Sequence, residues 1–359
     1  MNIAILGAGS IALANAALLA DGGHRVTLWS PSGKGTASLG HDFTLNFSGA
    51  ATGRAIVHAE ADVGAAISGA EVVVISVPAY GHKAVMDAVA PHLTPAQVVF
   101  VMPMLSLTSL YLSKLLCARG VAVPIVSFGT TVMTARRKGP ADVQLLSIRS
   151  KLDLAALPER STDEGMRIAT ALYGERFNAQ TDTLAVSMVN VNPISHVPLA
   201  LANLTRIEKG EVWTQYDNMA GGVARMIVAV DRERLNVAAA FGLDVRSIEE
   251  HFHYSFGVPM ADLGTQSLAV HNGVGSPVGP VSLSSRYFTE DVPYGLAFYA
   301  AMGRMTGTRT PCTDACITLA STACGRDFAN ENAMIGALGL DRASPEELLA
   351  LARNGYGRT

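Results

Sequence analysis

The sequence predicts an α/β chain, with a doubly wound parallel sheet in its first half and an all-α domain in its second. Three observations carry this. Short β-branched runs alternate with helical stretches up to about residue 180. A glycine turn joins the first run to the first helix. Beyond Asp182 the strand-like runs stop and long helical patterns follow.

Asn2 to Leu6 reads as a strand, and Ile11 to Ala20 as an alanine-rich helix. Arg25 to Trp29 is a second strand and Ala55 to Ala59 a shorter third. Glu71 to Val77, Val98 to Met102 and Pro124 to Phe128 are near-continuous apolar runs, as expected of parallel strands buried on both faces. Strands separated by helices give right-handed βαβ units. Thr183 to Lys209 reads as one long helix kinked at Pro193 and Pro198. Asp217 to Phe241 is a second, with Asp231, Arg232, Glu233 and Arg234 as a solvated charge cluster. Val245 to Phe256 is a third, and His271 to Pro280 a Gly/Pro-rich loop. The expected domains are 1–182 and 183–359.

Of the 359 residues, 49% are hydrophobic and 16% charged, which excludes a disordered chain. A formal net charge of −3 offers no basic excess for a nucleic-acid partner. Cys117, Cys312, Cys316 and Cys324 lack a zinc spacing backed by histidines, so they read as small hydrophobes and no metal site is expected. No signal peptide is visible, and no apolar run approaches the ~20 residues that span a membrane. A cytoplasmic location is expected. The apolar stretch from Leu296 to Met302 could support a homodimer.

Gly7, Gly9 and Ala12 form G-x-G-x-x-A between a strand and a helix. Gly7 permits the tight turn, Gly9 lets the backbone approach a pyrophosphate, and Ala12 lets helix pack on strand. The free amides and dipole of the helix N-terminus favour the anion. This is the Rossmann dinucleotide-binding pattern. The acidic residue that holds an NAD ribose is missing after the second strand. Ser30 and Lys34 stand there instead and could hold a 2′-phosphate, so NADP is expected ahead of NAD. Val77 and Pro78 end a central strand where such sheets bind ligands, and are expected to wall the nicotinamide. His82 follows. It is either a proton donor, or a loop histidine near a cofactor phosphate or at a helix start.

Hydride transfer to a carbonyl or imine needs a proton donor, a group that orients it and a cation for the substrate carboxylate. His196 can donate protons near neutral pH. On a helix it shares a face with Asn192, although a structural histidine at a kink is the other reading. Asp291 could hold His196 in one tautomer, and Arg286 could grip a carboxylate through two hydrogen bonds. A surface ion pair is the alternative for these two.

The chain resembles the opine dehydrogenases over essentially its whole length. The resemblance rests on the turn at Gly7, on Val-Pro-Ala at Val77 to Ala79 and on Asn-Val-Asn-x-x-x-His at Asn190 to His196. It also rests on His271-Asn272-Gly273, Gly279-Pro280 and Arg-Tyr-Phe-x-Glu-Asp at Arg286 to Asp291. It implies a Rossmann domain, a helical domain, and an active site between them. It implies NAD(P)H-dependent condensation of an amino acid with a 2-oxo acid such as pyruvate or 2-oxoglutarate. The catalytic dyad it implies falls on His196 and Asp291, with Asn192 lining the reacting centre and Arg286 holding a carboxylate. One departure stands out. The family's Pro-Gly-x-x-Gly loop is replaced by Pro103, Met104, Leu105 and Ser106. A plain 2-oxo acid reductase and a non-catalytic NADP sensor are the alternatives.

Overall fold

The computed structural model describes residues 1–357. Contacts divide the chain into two units. One is Met1–Ser187 together with the segment that begins at Ala350; the other is Met188–Leu349.

In the first unit, β1 (Asn2–Leu6), β2 (Arg25–Trp29), β3 (Asp42–Gly49), β4 (Gly53–Glu60), β5 (Val72–Ile75) and β6 (Val98–Val101) lie in one sheet. β7 (Ile125–Phe128), β8 (Met133–Gly139), β9 (Asp142–Ile148), β10 (Leu152–Leu157) and β11 (Phe177–Ala179) complete it. The order is β11-β10-β7-β6-β5-β1-β2-β4-β3-β9-β8. The centre is parallel: the chain runs outward from β1 through β2 to β4, then jumps back to β5 beside β1. That reversal creates the crevice at which open α/β sheets bind ligands. Every residue of β5, β6 and β7 is buried, which is why these strands read as unbroken apolar runs.

The sequence reading finds this centre but misses β3 and β8 to β11. β3 pairs antiparallel with β4, β8 with β9, and β10 with β7. β8 carries Arg136, Arg137 and Lys138 at the sheet edge, where charge discourages further pairing and also disguises a strand. The helices are α1 (Ser10–Asp21), α2 (Val63–Ile67), α3 (Ala79–Val89), α4 (Thr108–Ala118), α5 (Thr162–Tyr173) and α6 (Thr183–Met188). The buried face of α1 is mostly alanine (Ala12, Ala14, Ala16, Ala17). Small side chains let it lie close to the sheet.

The second unit is helical: α7 (Asn192–Ala202), α8 (Leu204–Glu208), α9 (Gly222–Ala240), α10 (Ile248–Phe256), α11 (Leu263–Val274) and α12 (Arg286–Thr289). A π-helical turn (Asp291–Leu296) then leads into α13 (Ala297–Thr306), α14 (Pro311–Cys324), α15 (Ala333–Leu338) and α16 (Pro345–Asn354), the last of which runs on across Ala350 into the first unit. The single helix expected over Thr183 to Lys209 is three helices, broken at Val189–Val191 and at Asn203. Pro193 sits harmlessly in the first turn of α7, where its missing N–H has no partner to lose. The stretch Thr183–Ala202 is after all long and apolar enough to cross a membrane by composition, with 89% of its most apolar window buried within the fold. The expected loop at His271 begins only at Gly275, since α11 runs through Val274.

Two other expectations fail on burial. Of the charge cluster on α9, only Arg232 faces solvent. Arg234 is 1% exposed and binds Asp231 through Nε at 2.8 Å and Nη2 at 2.6 Å. It also donates to the carbonyls of Met188 and Arg246. Glu233 accepts from the backbone N–H groups of Cys312 and Thr313, so it caps α14. The stretch Leu296 to Met302 is core, buried throughout, and offers no outward apolar face for a second copy.

Candidate active site

The turn at Gly7 is built for a close approach. Gly7 has φ +139°, and a Cβ there would lie 2.3 Å from the Ser76 carbonyl oxygen. No other residue fits. Gly9 precedes α1, and a Cβ on it would meet no described heavy atom within 4 Å. Among the described residues no side chain caps α1, and its first turn holds no carboxylate. The Ser76 hydroxyl, buried at the carboxyl end of β5, has no hydrogen-bond partner among the described residues. A backbone cradle, an uncapped helix N-terminus and an orphan hydroxyl together fit a dinucleotide pyrophosphate.

Ser30 is buried and Lys34 exposed, in the loop after β2. That loop folds back on the glycine turn: a Cβ on Gly35 would lie 2.5 Å from Cβ of Ala8. Arg137, which the sequence reading passed over, ties these parts together. It donates to the carbonyls of Ala8 (3.0 Å), Gly35 (3.1 Å), Gly139 (2.9 Å) and Pro140 (2.8 Å), and its backbone N–H to the Ser10 hydroxyl. Only the missed strand β8 could have signalled it.

Val77 and Pro78 lead into α3, and His82 supports them from behind. His82 is fully buried, with Nε2 3.0 Å from the Val77 carbonyl and Nδ1 3.0 Å from the Thr108 hydroxyl. Burial pushes its pKa down to about 4, so at neutral pH it is uncharged: Nε2–H donates to Val77 and Nδ1 accepts from Thr108. This is the structural reading, not the proton donor. The sign of its pH effect follows. Between pH 6.5 and about 4 the unfolded chain binds a proton at this site that the folded chain refuses, so stability falls as pH falls. Wild type should lose about 2 kcal/mol more than His82→Gln between pH 7 and pH 5 in urea unfolding, at ~1.4 kcal/mol per pH unit below 6.5. Parallel losses would rule this out.

The loop after β6 is the one that lacks the family's glycines. Ser106 and Leu107 nevertheless take φ +49° and +56°, the left-handed conformation glycine would have eased. Leu107 N–H donates to the Ser187 hydroxyl at 3.3 Å, and Met104 is completely buried. The left-handed turn is thus made by two residues with side chains rather than by glycines.

In the second unit the structure brings His196 and Asp291 together, 95 residues apart in the chain. His196 Nδ1 lies 2.8 Å from Asp291 Oδ2, and the side chains are 10% and 4% exposed. The cause is local. α7 carries His196 and the π-helical turn begins with Asp291. Gly295 lies against Pro193: a Cβ at Gly295 would be 2.2 Å from Pro193 Cγ, so only glycine allows this approach. Asn332 fixes the turn by donating to the Pro293 carbonyl at 2.9 Å. π-Helical turns recur at functional sites. Tyr287 stacks on the imidazole, with ring centroids 3.8 Å apart and planes 6° apart. Burial pushes the Tyr287 phenol well above its ordinary pKa, so it stays neutral. The sequence reading missed this ring, although it lies inside the motif quoted for Arg286.

Asn192 opens α7 one turn before His196, half-buried, its N–H bonded to Asn190 Oδ1 at 3.0 Å. Arg286 is 55% exposed and 3.9 Å from Glu290 Oε2. The pairing is loose enough for the guanidinium to take a carboxylate ligand. Neither His196 nor Asp291 is a surface group, so the ion-pair alternative fails for Asp291. With Nδ1 committed to a carboxylate, any proton exchange by this ring would run through Nε2.

Comparison with known proteins agrees with both units. Residues 179–324 match the family model of the NAD/NADP octopine/nopaline dehydrogenase α-helical domain, and residues 3–159 that of the ketopantoate reductase PanE/ApbA. An opine dehydrogenase of Arthrobacter sp. (strain 1C) is 30% identical over 286 residues, 78% of each chain. A solved octopine dehydrogenase in complex with NADH and agmatine shares the fold, with TM-score 0.79 over 98% of each chain at 20% identity. So does an NADP⁺-bound yersinopine dehydrogenase, with TM-score 0.71 over 97% and 95% of the chains at 16% identity. Fold, dyad and relatives converge, and the chain belongs to the opine dehydrogenase family, NAD(P)-dependent oxidoreductases acting on CH–NH donors.

Proposed function

We propose that this enzyme reduces the imine formed between an amino acid's amine and a 2-oxo acid such as pyruvate or 2-oxoglutarate, with NADPH preferred. The observation that carries the reading is the buried His196–Asp291 pair at 2.8 Å. NADPH, when bound, supplies the hydride that reduces the imine carbon. Gly7, Gly9 and Ala12 receive its pyrophosphate, Ser30 and Lys34 its 2′-phosphate, and Val77 and Pro78 wall the nicotinamide. Protonated His196 gives its Nε2 proton to the hydroxyl of the carbinolamine, which leaves as water. Asp291 holds the ring in that tautomer and stabilises the imidazolium. In the oxidative direction neutral His196 takes the proton from the attacking water. Asn192 lines the reacting centre. The boundary expected at residue 182 lies close to Ser187/Met188, but the segment from Ala350 belongs with the first unit; a cytoplasmic location is part of this proposal.

Arg286 holds the oxo-acid carboxylate. Arg286→Ala should raise the oxo-acid KM by roughly 10- to 150-fold, because charge-assisted bonds to a carboxylate are worth about 1.5–3 kcal/mol. An unchanged KM for every oxo acid tested would remove it from the site. The function itself is tested by NADPH oxidation over amino acids crossed with pyruvate and 2-oxoglutarate. Turnover that requires both partners is expected. The match of residues 3–159 to the ketopantoate reductase model supports a second reading, a plain 2-oxo acid reductase. Turnover with the oxo acid alone, indifferent to every amine, would favour it.

A further inference from the structure

A second group of chemically active side chains gathers in the first unit, at the start of β3 and the end of β4. Asp42 and His58 are register partners across this antiparallel pair, so they project from the same face of the sheet. Asp42 Oδ1 bonds Nδ1 of His58 and lies 3.3 Å from Nδ1 of His41. Glu60, two residues beyond His58 and so on the same face, places Oε1 3.0 Å from Nε2 of His41. One donor atom from each of His41, Asp42 and His58 lies within 4.8 Å of the others. A cavity of about 240 Å³, lined by His41, His58 and Glu60 along with Arg25 and Thr27, opens beside them.

Nothing in the reductive chemistry uses these groups. Two imidazoles and a carboxylate are the donor set of zinc and its borderline neighbours. In a tetrahedral site with bonds of ~2.0–2.1 Å, neighbouring donors are ~3.3 Å apart, which is the His41–Asp42 spacing. Asp42, His58 and Glu60 stand on paired strands, so only His41, just outside β3, must be ordered for binding. We propose that His41, Asp42 and His58 bind one zinc-like divalent cation. Three protein donors leave the fourth position of a tetrahedral shell to water. Asp42 and His58 come from different strands, so no sequence spacing announces the group.

The test uses the full chain, stripped with chelator. Zn²⁺ is titrated by calorimetry, and Co²⁺ reports the donor set through the visible bands of a tetrahedral ion. We expect one equivalent of Zn²⁺, tetrahedral Co²⁺ bands, and a metal-dependent rise in melting temperature. His58→Ala should weaken binding by roughly tenfold or more, and His41→Ala/His58→Ala should abolish the bands. His41 is exposed and His58 partly so, and the metal-free melting temperatures of the variants check that folding is intact. Wild-type titration curves in the folded double variant, or no tetrahedral Co²⁺ spectrum in the wild type, would overturn the proposal.

Discussion

His196→Gln is expected to lower kcat by on the order of 10²- to 10⁴-fold, the usual contribution of a positioned general acid–base. Glutamine can still donate to Asp291 and lie against Tyr287, so the fold around the site should survive. What it lacks is a group that exchanges protons near neutral pH. The pH profile separates chemistry from mere damage. The variant should lose the limb of the kcat/KM profile that belongs to the imidazole, whereas general disruption would scale the whole profile. Asp291→Asn should also lower kcat with the histidine still present, since an amide no longer selects the Nδ1–H tautomer. A folded His196→Gln enzyme with near-normal turnover would end the acid–base assignment.

The largest expected effect on stability is far from the chemistry. Arg234→Met should destabilise the protein by about 3–5 kcal/mol, because it leaves the Asp231 carboxylate buried without its cation. Among the described residues Asp231 would keep the Ile248 N–H at 2.7 Å, and the carbonyls of Met188 and Arg246 would lose the Arg234 donor. Arg234→Met combined with Asp231→Leu should lose less than the sum of the two single changes, since no buried charge then remains unbalanced. Urea unfolding of the four proteins measures this. Simple additivity would show that the pair is not coupled.

The centre of the first unit was legible because burial on both faces writes itself as unbroken apolar runs at β5, β6 and β7. Its rim was not. β8 reads as a charged loop, and β10 (Leu-Asp-Leu-Ala-Ala-Leu) has a helix-like composition that pairing with β7 and β11 overrides. On α9 the error was to treat four consecutive charges alike. Asp231 and Arg234 are three apart and face the core with Ile227, Val230 and Val237, whereas Arg232 points away. The types and spacing of His196, Asn192, Arg286 and Asp291 could nominate a site. That His196 meets Asp291 depends on Gly295 yielding to Pro193, a contact between segments about a hundred residues apart. Tyr287 and Arg137 act through packing and carbonyl contacts, which no local pattern announces.

The segment that begins at Ala350 has a consequence for biosynthesis. Ala352 accepts from the Thr183 hydroxyl at 2.9 Å, Arg353 lies 3.6 Å from Asp182, and Tyr356 N–H donates to the Ser113 hydroxyl at 2.8 Å. The Rossmann unit is therefore interrupted by the whole of Met188–Leu349 and is closed by a strand of chain made after it. At ~5–20 residues per second, a ribosome would hold the sheet without this strap for roughly 8–30 s while the helical unit emerges. The nascent sheet must wait with Thr183 and Ser113 unsealed until this short segment docks onto a domain made before it.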